Sequence, residues 1–334
     1  MRDQFLIAQN IAPLGVRRIG VYNESGNRVG QIPLGRLTPP DPREKLYSFG
    51  LLSDVHIGEQ TAANDFTVAL QYLSAETNFI CISGDLVDYN QHAEYKSLVD
   101  AHATVPVYAC TGNHDGYVGG IENIVESYTG KPLYYSIAYG NDVFVFVGCK
   151  STYQGQLFTA AELDWLAETL EVNKNKRVFL FQHVRPMDAC GNALNIYKND
   201  LLQGDEKAIF EGLLRQYPNI VFFHGHSHLK FDLQRHDAMA NIDRVFGCWS
   251  VHVPSLSVPR GPVSAVDTTR VELYAESEGY IVDVYPNGIH LRGRDFVAGK
   301  YLPIASYWLD TVVSTDENDT KLLDKAKLDK LILS

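Results

Sequence analysis

The hydrophobic positions of this chain form short runs that alternate with amphipathic segments between residues 46 and 250. The apolar runs have the length of buried strands, and the segments between them repeat apolar residues with helical spacing. The predicted strands are Tyr47–Leu52, Phe79–Ser83, Val105–Thr111, Tyr134–Tyr139, Val143–Cys149, Arg177–Gln182 and Ile220–His224. The predicted helices are Ala62–Ala75, His92–Ala103, Gly120–Tyr128, Ala160–Val172 and Asp205–Gln216. Alternation of this kind predicts an α/β layered fold.

Shorter patterns flank this region on both sides. Before it, Arg17–Tyr22 and Arg28–Ile32 surround a turn-forming segment and predict a β-hairpin. After it, Tyr280–Tyr285 and Ile289–Arg294 predict a second hairpin with an Asn-Gly turn, and Asp319–Leu333 has an amphipathic helical pattern. We therefore expect an N-terminal β extension (1–45), a main domain (46–300) and a C-terminal extension with a helix (301–334).

One predicted helix carries its own start signal. Thr159 precedes the fourth helix and Glu162 lies three residues later, which is the spacing of a capping box. In that arrangement each side chain accepts a hydrogen bond from the other residue's backbone N–H. The pattern predicts that this helix begins at residue 160.

Composition and charge narrow the class of protein. The chain has 334 residues, of which 45% are hydrophobic and 21% charged, and its formal net charge is −11. Nucleic-acid carriers need clustered Lys and Arg, so this charge argues against such a role. The five cysteines are scattered without a CxxC pair, and we find neither an export signal nor an apolar run near the ~18 residues of a membrane helix. We expect a cytoplasmic protein without membrane association.

Chemically active residues follow directly after five of the predicted strands. The motifs are Ser53-Asp54-Val55-His56, Gly84-Asp85-Leu86-Val87-Asp88, Gly112-Asn113-His114-Asp115, His183 and Gly225-His226-Ser227-His228. Asp85 lies 31 positions after Asp54 and 28 positions before Asn113, and each interval is about one βαβ unit. Parallel strands connected in this way end at one edge of a sheet, so we expect the motifs to meet in one cleft. We expect the neighbouring glycines to provide the positive φ of sharp turns.

The residues gathered in this cleft have the chemistry of metal ligands. The Asp, Asn and His side chains of these motifs supply oxygen and imidazole donors without thiolate, a set that suits Mn, Fe, Co or Zn. The donors are too many for one ion and about enough for two. Two divalent ions ~3.5–4 Å apart clamp the attacking and leaving oxygens of an in-line displacement at phosphorus. The sequence therefore predicts a dinuclear centre for phosphoester hydrolysis, with the identity of the ions left open.

These five motifs, in this order, resemble the calcineurin-like metallophosphoesterase superfamily over residues 46 to about 250. The run from Leu52 to Tyr117 is most similar to the class III phosphodiesterases, which act on cyclic nucleotides and glycerophosphodiesters. The resemblance implies a four-layer α-β-β-α sandwich. It implies that Asp54, His56, Asp85 and His228 hold a first ion, and that Asp85, Asn113, His183 and His226 hold a second, with Asp85 bridging.

The resemblance also implies a mechanism. A hydroxide that bridges the ions would attack a small phosphodiester in line, and His114 would act as general acid towards the leaving alkoxide. Asp88 would orient His114 through a hydrogen bond. Asp115 is expected to support the loops rather than to bind metal.

Departures from the motifs of other branches narrow the assignment. Ser/Thr protein phosphatases carry Arg-Gly where Asp88 is followed here by Tyr89-Asn90, and purple acid phosphatases have Tyr in place of Asp88 and Gly in place of His56. The net charge argues against DNA-repair nucleases, and a secreted 5′-nucleotidase would need an export signal and a second substrate domain. A phosphomonoesterase acting on nucleotides or sugar phosphates is the main alternative, because it uses the same centre. A non-catalytic scaffold is a remote alternative, because every ligand position is filled.

Several residues beside the motifs are candidate substrate contacts. Arg185 either binds a substrate phosphate through its guanidinium fork or is a solvated loop charge. Tyr89, Tyr117 and His92 either stack on a nucleobase or pack within their loops. Asn113 is a candidate substrate contact as well as a metal ligand. A small phosphate ester is the expected partner, and the oligomeric state is left open.

Other residues are expected to be structural. His224, which alternates with His226 along a strand, is expected to be a core histidine. His252, Arg260 and the run Val253–Pro262 are expected to form a surface loop. The N-terminal β extension could pair with the sheet edge of a neighbouring chain.

Overall fold

Two six-stranded β-sheets lie face to face in the computed structural model, and helices cover their outer faces. The structure describes residues 16–22, 28–36, 42–186, 190, 202–231, 241–244, 246–262, 270–272 and 274–311. The strands are β1 (Val16–Tyr22), β2 (Arg28–Arg36), β3 (Tyr47–Leu52), β4 (Phe79–Ser83), β5 (Val107–Cys110), β6 (Tyr134–Tyr139), β7 (Asp142–Val147), β8 (Val178–Phe181), β9 (Ile220–His224), β10 (Ile242–Asp243), β11 (Trp249–His252), β12 (Arg260–Pro262), β13 (Arg270–Glu272), β14 (Glu278–Tyr285), β15 (Gly288–Asp295) and β16 (Lys300–Asp310). The helices are α1 (Ala62–Glu76), α2 (His92–His102), α3 (Ile121–Thr129), α4 (Ala160–Val172) and α5 (Gly204–Gln216), with 3-10 turns at Pro42–Glu44 and Asp115–Val118. The predicted four-layer α-β-β-α sandwich is confirmed.

The first sheet has the strand order β16-β15-β14-β3-β4-β5. Its strands β3, β4 and β5 are parallel, with Phe49 opposite Phe79 and Ile80 opposite Val107. The remaining three strands continue the sheet in antiparallel fashion. Because β3, β4 and β5 run in one direction, the loops that follow them emerge at the same edge of the sheet.

The second sheet has the strand order β10-β11-β9-β8-β7-β6. Its four central strands are parallel, and the edge strands β10 and β6 are antiparallel to their neighbours. The loops after β8 and β9 therefore leave this sheet on a common edge as well.

The period of two along each strand divides its side chains between two cores. In β7, Phe144 and Phe146 belong to the core between the sheets, whereas Val143 and Val145 belong to the core under the helices. The core between the sheets is rich in aromatic rings, and Phe146 stacks on Phe181 with centroids 4.6 Å apart. Aromatic side chains bury large areas, so they contribute strongly to the cohesion of this layer.

The helices cover the sheets through apolar stripes. Phe66 and Leu70 of α1 pack on the first sheet, and Leu166 of α4 packs on the second. Helix α4 begins at residue 160 as predicted, and both hydrogen bonds of the Thr159–Glu162 capping box are present. Every described helix is too short or too polar to cross a lipid bilayer.

Strand β16 was not predicted, and it carries the first sheet past residue 300, where the sequence suggested a boundary. Pro303 interrupts its pattern, and proline is normally a sign against a strand. Here β16 is an edge strand, and Pro303 falls where the register with β15 shifts between Arg292 and Arg294. The missing N–H therefore breaks no regular ladder. The short strands β10 to β13 were not predicted either.

The predicted hairpin between β14 and β15 is confirmed, but its turn is made differently. Tyr285 pairs with Gly288, so the two turn residues are Pro286 and Asn287. Gly288 is the first residue of β15, and a Cβ there would overlap the Trp308 ring. Packing, rather than the turn, thus requires this glycine.

The N-terminal extension forms the predicted hairpin, in which β1 and β2 pair antiparallel. Its two strands contact β10 and β16, which are edge strands of the two sheets in the same chain. The predicted C-terminal helix Asp319–Leu333 lies outside the described residues.

Candidate metal centre

All seven predicted metal ligands follow parallel strands. Asp54 and His56 come after β3, Asp85 after β4, Asn113 after β5, His183 after β8, and His226 and His228 after β9. The first sheet contributes four of these residues and the second contributes three. The two sheets therefore supply the two halves of the site.

Five of the ligands have an unusual backbone conformation. Positive φ at a non-glycine residue occurs in the described structure only at Asp54 (50°), His56 (48°), Asp85 (50°), His226 (71°) and His228 (59°). Each such residue costs on the order of 1–3 kcal/mol, and strain of this kind concentrates at functional sites. Hydrogen bonds between the loops hold it: the N–H of His56 donates to the Asp85 carbonyl (3.0 Å), and the N–H of His226 donates to Asp54 Oδ1 (3.1 Å).

Most of the motif glycines are needed because a side chain would block a close contact, and not because φ is positive. Gly84 does have a φ of 84°, as predicted. Gly112 and Gly225 do not, and for them the prediction was wrong. A Cβ at Gly112 would overlap the Asp85 carboxylate, and one at Gly225 would overlap the Asp54 carboxylate. These two glycines let a neighbouring loop reach the ligand, while the ligand itself adopts the positive φ.

The first group of donors brings four buried side chains together. Ligand atoms of Asp54, His56, Asp85 and His228 all lie within 4.8 Å of one another. His228 Nε2 is 3.0 Å from Asp54 Oδ1 and 3.0 Å from His56 Nε2. Two ring nitrogens and a carboxylate oxygen facing one another at this distance form a cradle for a cation.

The second group of donors shares a residue with the first. Ligand atoms of Asp85, His183 and His226 lie within 4.8 Å of one another, and His183 Nε2 is 2.9 Å from Asp85 Oδ2. His183 Nε2 also lies 3.8 Å from Asp54 Oδ1, so the two groups adjoin. Asn113, which lies in the loop after β5, is also buried. Asp85 is the one residue that belongs to both of these donor groups.

Buried atoms in these groups lack hydrogen bonds. Among the described residues, Asp85 Oδ2, His183 Nε2 and Asn113 Oδ1 are buried and make none. A buried polar atom without a partner costs on the order of 1–3 kcal/mol, so such atoms among the candidate ligands need an explanation. Metal ions would supply the missing partners, and the oxygen and imidazole donors fit two ions of the Mn, Fe or Zn type.

Backbone carbonyls fix the tautomers of two histidines. The Nδ1–H of His183 donates to the Ser83 carbonyl (2.7 Å), and that of His228 donates to the Val258 carbonyl (3.1 Å). A carbonyl can only accept, so the proton of each neutral ring lies on Nδ1 and the Nε2 lone pair is available. This is how proteins orient imidazoles towards a metal.

Charge and burial set the protonation states. Burial raises the pKa of Asp54, but His228 and His183 outweigh it and hold the pKa far below its usual range. Burial lowers the pKa of His226 to about 3 and that of His228 to about 4. Burial also acts to lower the pKa of His183, yet the Asp85 and Asp54 charges raise it to about 9. The paired carboxylates thus demand nearby positive charge, which divalent ions would provide.

His114 and Asp88 lie together beside the first group. His114 Nδ1 is 3.0 Å from the Asp88 carbonyl and 3.1 Å from Asp88 Oδ1, which is the contact that the sequence predicted. The same carboxylate oxygen lies 3.5 Å from His56 Nδ1. Hydrogen bonds from His56 and His114, together with their charge, lower the pKa of Asp88 against its partial burial. With Nδ1 engaged, Nε2 is the ring nitrogen of His114 that a substrate can use.

Asp115 supports the loops, as predicted. Its buried carboxylate accepts N–H groups from Gly112 (2.7 Å), Leu86 (3.2 Å) and Val87 (3.3 Å). It therefore ties the loop after β4 to the loop after β5. Burial raises its pKa to about 7.

The candidate substrate residues occupy different environments. Arg185 is buried rather than solvated; it donates to the Pro186 carbonyl, and its charge is one of the factors that lower the pKa of His226. Tyr89 and Tyr117 are exposed next to each other, and the Tyr117 ring contacts His114.

Three histidines outside the set of predicted metal ligands are buried. His92 packs against Tyr128, with ring centroids 4.5 Å apart. His224 is a core histidine, as expected, and its Nε2 lies 3.1 Å from Ser250 Oγ. The expectation of a surface loop at His252 was wrong, because His252 ends β11 and is fully buried.

The run from Val253 onward supports the ligand loops from behind. The hydroxyls of Ser255 and Ser257 donate to the carbonyls of Asp54 (3.0 Å) and Val55 (2.7 Å), and the N–H of Arg260 donates to the His228 carbonyl (2.7 Å). Ser and Pro are typical of surface loops, which is why the sequence misled. Here the hydroxyls satisfy buried carbonyls instead.

One support of the ligands was missed in the sequence. Ser227, which lies between two ligands, has its Oγ 2.8 Å from His252 Nε2. His252 Nδ1 lies 3.4 Å from Asn241 Oδ1 in turn. The alternation of apolar and polar residues in Trp249–His252 was the available sequence signal for this strand. A segment of 4 residues is too short for that alternation to predict a strand.

The part of the chain that holds the predicted ligands is similar to a known protein family. A family model for calcineurin-like phosphoesterases matches residues 47–230, which contain every predicted metal ligand. No curated protein matches the chain by sequence. The fold is similar to that of the purple acid phosphatase PPD1 from yellow lupin (Lupinus luteus) seeds, with a TM-score of 0.57 and 14% identity over 91% of this chain. The alignment covers 60% of the lupin chain, so the present chain spans less than two thirds of that enzyme.

A second solved structure shares the fold. GAP50, the anchor in the inner membrane complex of Plasmodium, is similar with a TM-score of 0.54 and 13% identity, over 84% of this chain and 94% of that chain. Likenesses at such low identity concern the fold alone, whereas the family model covers more than half of the chain. The chain therefore belongs to the calcineurin-like phosphoesterase family.

Proposed function

We propose that this protein is a metal-dependent phosphodiesterase that hydrolyses small phosphodiesters. The observation that carries the proposal is that Asp85 belongs to two adjoining groups of buried donors, with His114 beside them. Two divalent ions held there would neutralise charge on the phosphoryl group and lower the pKa of an attacking water. Asp54, His56, Asp85 and His228 would hold one ion, and Asp85, Asn113, His183 and His226 the other.

His114 supplies the proton that hydrolysis requires. As the water oxygen bonds to phosphorus, that water gives up a proton to solvent and the P–O bond to the leaving alcohol breaks. Without a proton donor the leaving oxygen would depart as an alkoxide. The Nε2–H of His114 gives its proton to this oxygen. Asp88 accepts a hydrogen bond from Nδ1, which keeps the ring oriented towards the leaving oxygen.

The surroundings of His114 favour a diester. Its side chain contacts Asp88, His56 and Tyr117, and none of these three residues is a lysine or an arginine. A phosphomonoester carries nearly two negative charges at neutral pH and is commonly bound by such cations, whereas a diester carries one. The similarity of the run Leu52 to Tyr117 to class III phosphodiesterases supports the same choice.

The test separates metal binding from proton transfer. Asp85→Asn should lose binding of Mn²⁺, measured by calorimetry, together with all turnover. His114→Ala should bind Mn²⁺ like the wild type but lose roughly 10²–10⁴-fold in rate. The loss should be greater for an alkyl phosphodiester than for bis(p-nitrophenyl) phosphate, since nitrophenolate departs without a proton.

Two results would contradict the proposal. Full activity of Asp85→Asn would exclude the metal mechanism, and equal losses for alkyl and aryl substrates in His114→Ala would exclude the acid role. Faster turnover of the monoester than of the matching diester by the wild type would make the protein a phosphomonoesterase with the same centre.

A further inference from the structure

Two exposed tyrosine side chains lie next to each other, and one of them contacts His114. Tyr89 is 51% exposed and Tyr117 is 44% exposed, and their ring centroids are 6.0 Å apart. The Tyr117 ring also meets the His114 imidazole edge to face, with centroids 4.7 Å apart. Neighbouring exposed rings next to a reacting group form a surface suited to stacking. We call Tyr89 and Tyr117 the tyrosine pair.

The backbone at both tyrosines is held by hydrogen bonds. Tyr117 lies in the 3-10 turn Asp115–Val118, where its N–H donates to the His114 carbonyl (3.0 Å). The N–H of Tyr89 donates to Gln91 Oε1 (3.0 Å). Since the loops are ordered by these bonds, little further ordering is needed when a ligand binds.

The contact with His114 identifies the part of the substrate that the tyrosine pair meets. The proposed function makes His114 the donor of a proton to the leaving oxygen, and the present inference rests on that role. The leaving group must then lie next to His114, and therefore next to Tyr117.

We infer that the tyrosine pair stacks on a flat aromatic ring carried by the leaving group. The substrates are then phosphoesters of nucleosides, or of other alcohols that carry an aromatic ring, rather than esters of glycerol or simple sugars. Stacking of a base on an aromatic side chain changes binding by roughly 5- to 100-fold, and it tolerates any base because each has a flat π-face.

The test compares substrates that differ only in the ring. One pair is a nucleoside 3′,5′-cyclic phosphate and the cyclic phosphate of methyl riboside, which share the reacting ribose oxygen. A second pair is the benzyl ester and the cyclohexylmethyl ester of the same phosphate. Their leaving groups differ in flatness but little in size. For the Mn²⁺-loaded wild type we expect kcat/KM to be roughly 5- to 100-fold higher for the aromatic member. A kcat/KM ratio above one in both pairs indicates that the site accepts any flat ring. A ratio above one in the first pair alone indicates that the site requires a nucleoside.

Variants connect the ratio to the tyrosine pair. Tyr117→Leu and Tyr89→Leu retain an apolar side chain without a π-face, so each should move the ratio towards one. The control is Tyr301→Leu, since Tyr301 is 42% exposed but lies on β16 against Arg292. It should leave the ratio unchanged. A wild-type ratio near one in both pairs, or an unaltered ratio in both variants of the tyrosine pair, would overturn the inference.

A binding measurement keeps this result separate from the proposed function. Calorimetric titration of the Mn²⁺-loaded protein with a nucleoside monophosphate and with ribose phosphate gives the same comparison without turnover. If no ester is hydrolysed, the proposed function fails, while tighter binding of the nucleotide that is lost in Tyr117→Leu still supports the stacking site. Equal binding of the two compounds would overturn it.

Discussion

At the scale of single residues, the centre depends on strained ligands that neighbouring glycines accommodate. Asp54 and His226 both have positive φ, and the N–H of His226 donates to the Asp54 carboxylate across the two sheets. Gly225 lies at this crossing, where a Cβ would overlap Ser53 Oγ and Asp54 Oδ2. Hydrogen bonds between neighbouring loops hold these strained conformations in place.

Gly225→Ala should weaken metal binding more than it weakens the fold. The new methyl group would displace Asp54, so we expect the Mn²⁺ affinity to fall roughly 10- to 100-fold, the range typical of disturbed ligand support. The measurement is a Mn²⁺ titration by calorimetry, with thermal unfolding alongside.

The matched control is Gly212→Ala in α5, where a Cβ would meet nothing within 4 Å. Alanine should stabilise that helix by about 0.5–1 kcal/mol and leave Mn²⁺ affinity unchanged. Wild-type affinity in Gly225→Ala would show that Asp54 does not need this close approach.

At the scale of elements, the capping box that begins α4 contains a buried ionisable side chain. Glu162 completes the capping box with Thr159, which the sequence predicted. The structure adds that Glu162 is fully buried, and burial raises its pKa to about 9 against hydrogen bonds from Thr159 and Gly148. The carboxyl group is therefore protonated in the folded protein at neutral pH, while it is ionised in the unfolded chain.

This pKa makes stability depend on pH. Between the unfolded value near 4.5 and the folded value near 9, the folded state binds one more proton, so the free energy of unfolding should decrease by up to about 1.4 kcal/mol per pH unit as the pH rises. Glu162→Gln keeps an acceptor and cannot ionise, so it should flatten this decrease. Chemical denaturation at pH 6, 7 and 8 measures the slope.

Glu168→Gln provides the comparison for that experiment, because Glu168 lies on the same helix but is exposed. It should keep the wild-type slope. An unchanged slope in Glu162→Gln would show that Glu162 does not control the pH dependence.

At the scale of the whole molecule, one buried ion pair joins the two sheets at the end away from the metal centre. Arg177 and Asp142, at the amino ends of β8 and β7, form two hydrogen bonds of 2.7 and 3.0 Å. Arg177 also donates to the Tyr285 carbonyl (2.9 Å), and Tyr47 donates to Asp142. Both Tyr285 and Tyr47 belong to the first sheet, so the pair connects the layers.

Arg177→Met should destabilise the protein by about 3–5 kcal/mol, because it leaves the Asp142 carboxylate buried without its cation. Urea denaturation gives the change, and the Mn²⁺ affinity of the folded variant should stay at the wild-type value. Lys174→Met removes an exposed ion pair with Glu171 and should have little effect. If Arg177→Met were as stable as Lys174→Met, the pair would not hold the sheets together.

The alternation of strands and helices, the capping box of α4 and the placement of the candidate metal ligands after strands could all be predicted from the sequence. These features are local, since strand period, helix period and strand-end motifs can be read within a few residues. Four features could not be predicted from the sequence: the edge position that tolerates Pro303 in β16, the burial of His252, the burial of the serines behind Asp54, and the close approach that requires Gly225. Each of these depends on which distant segment packs against the residue, and no local pattern carries that information.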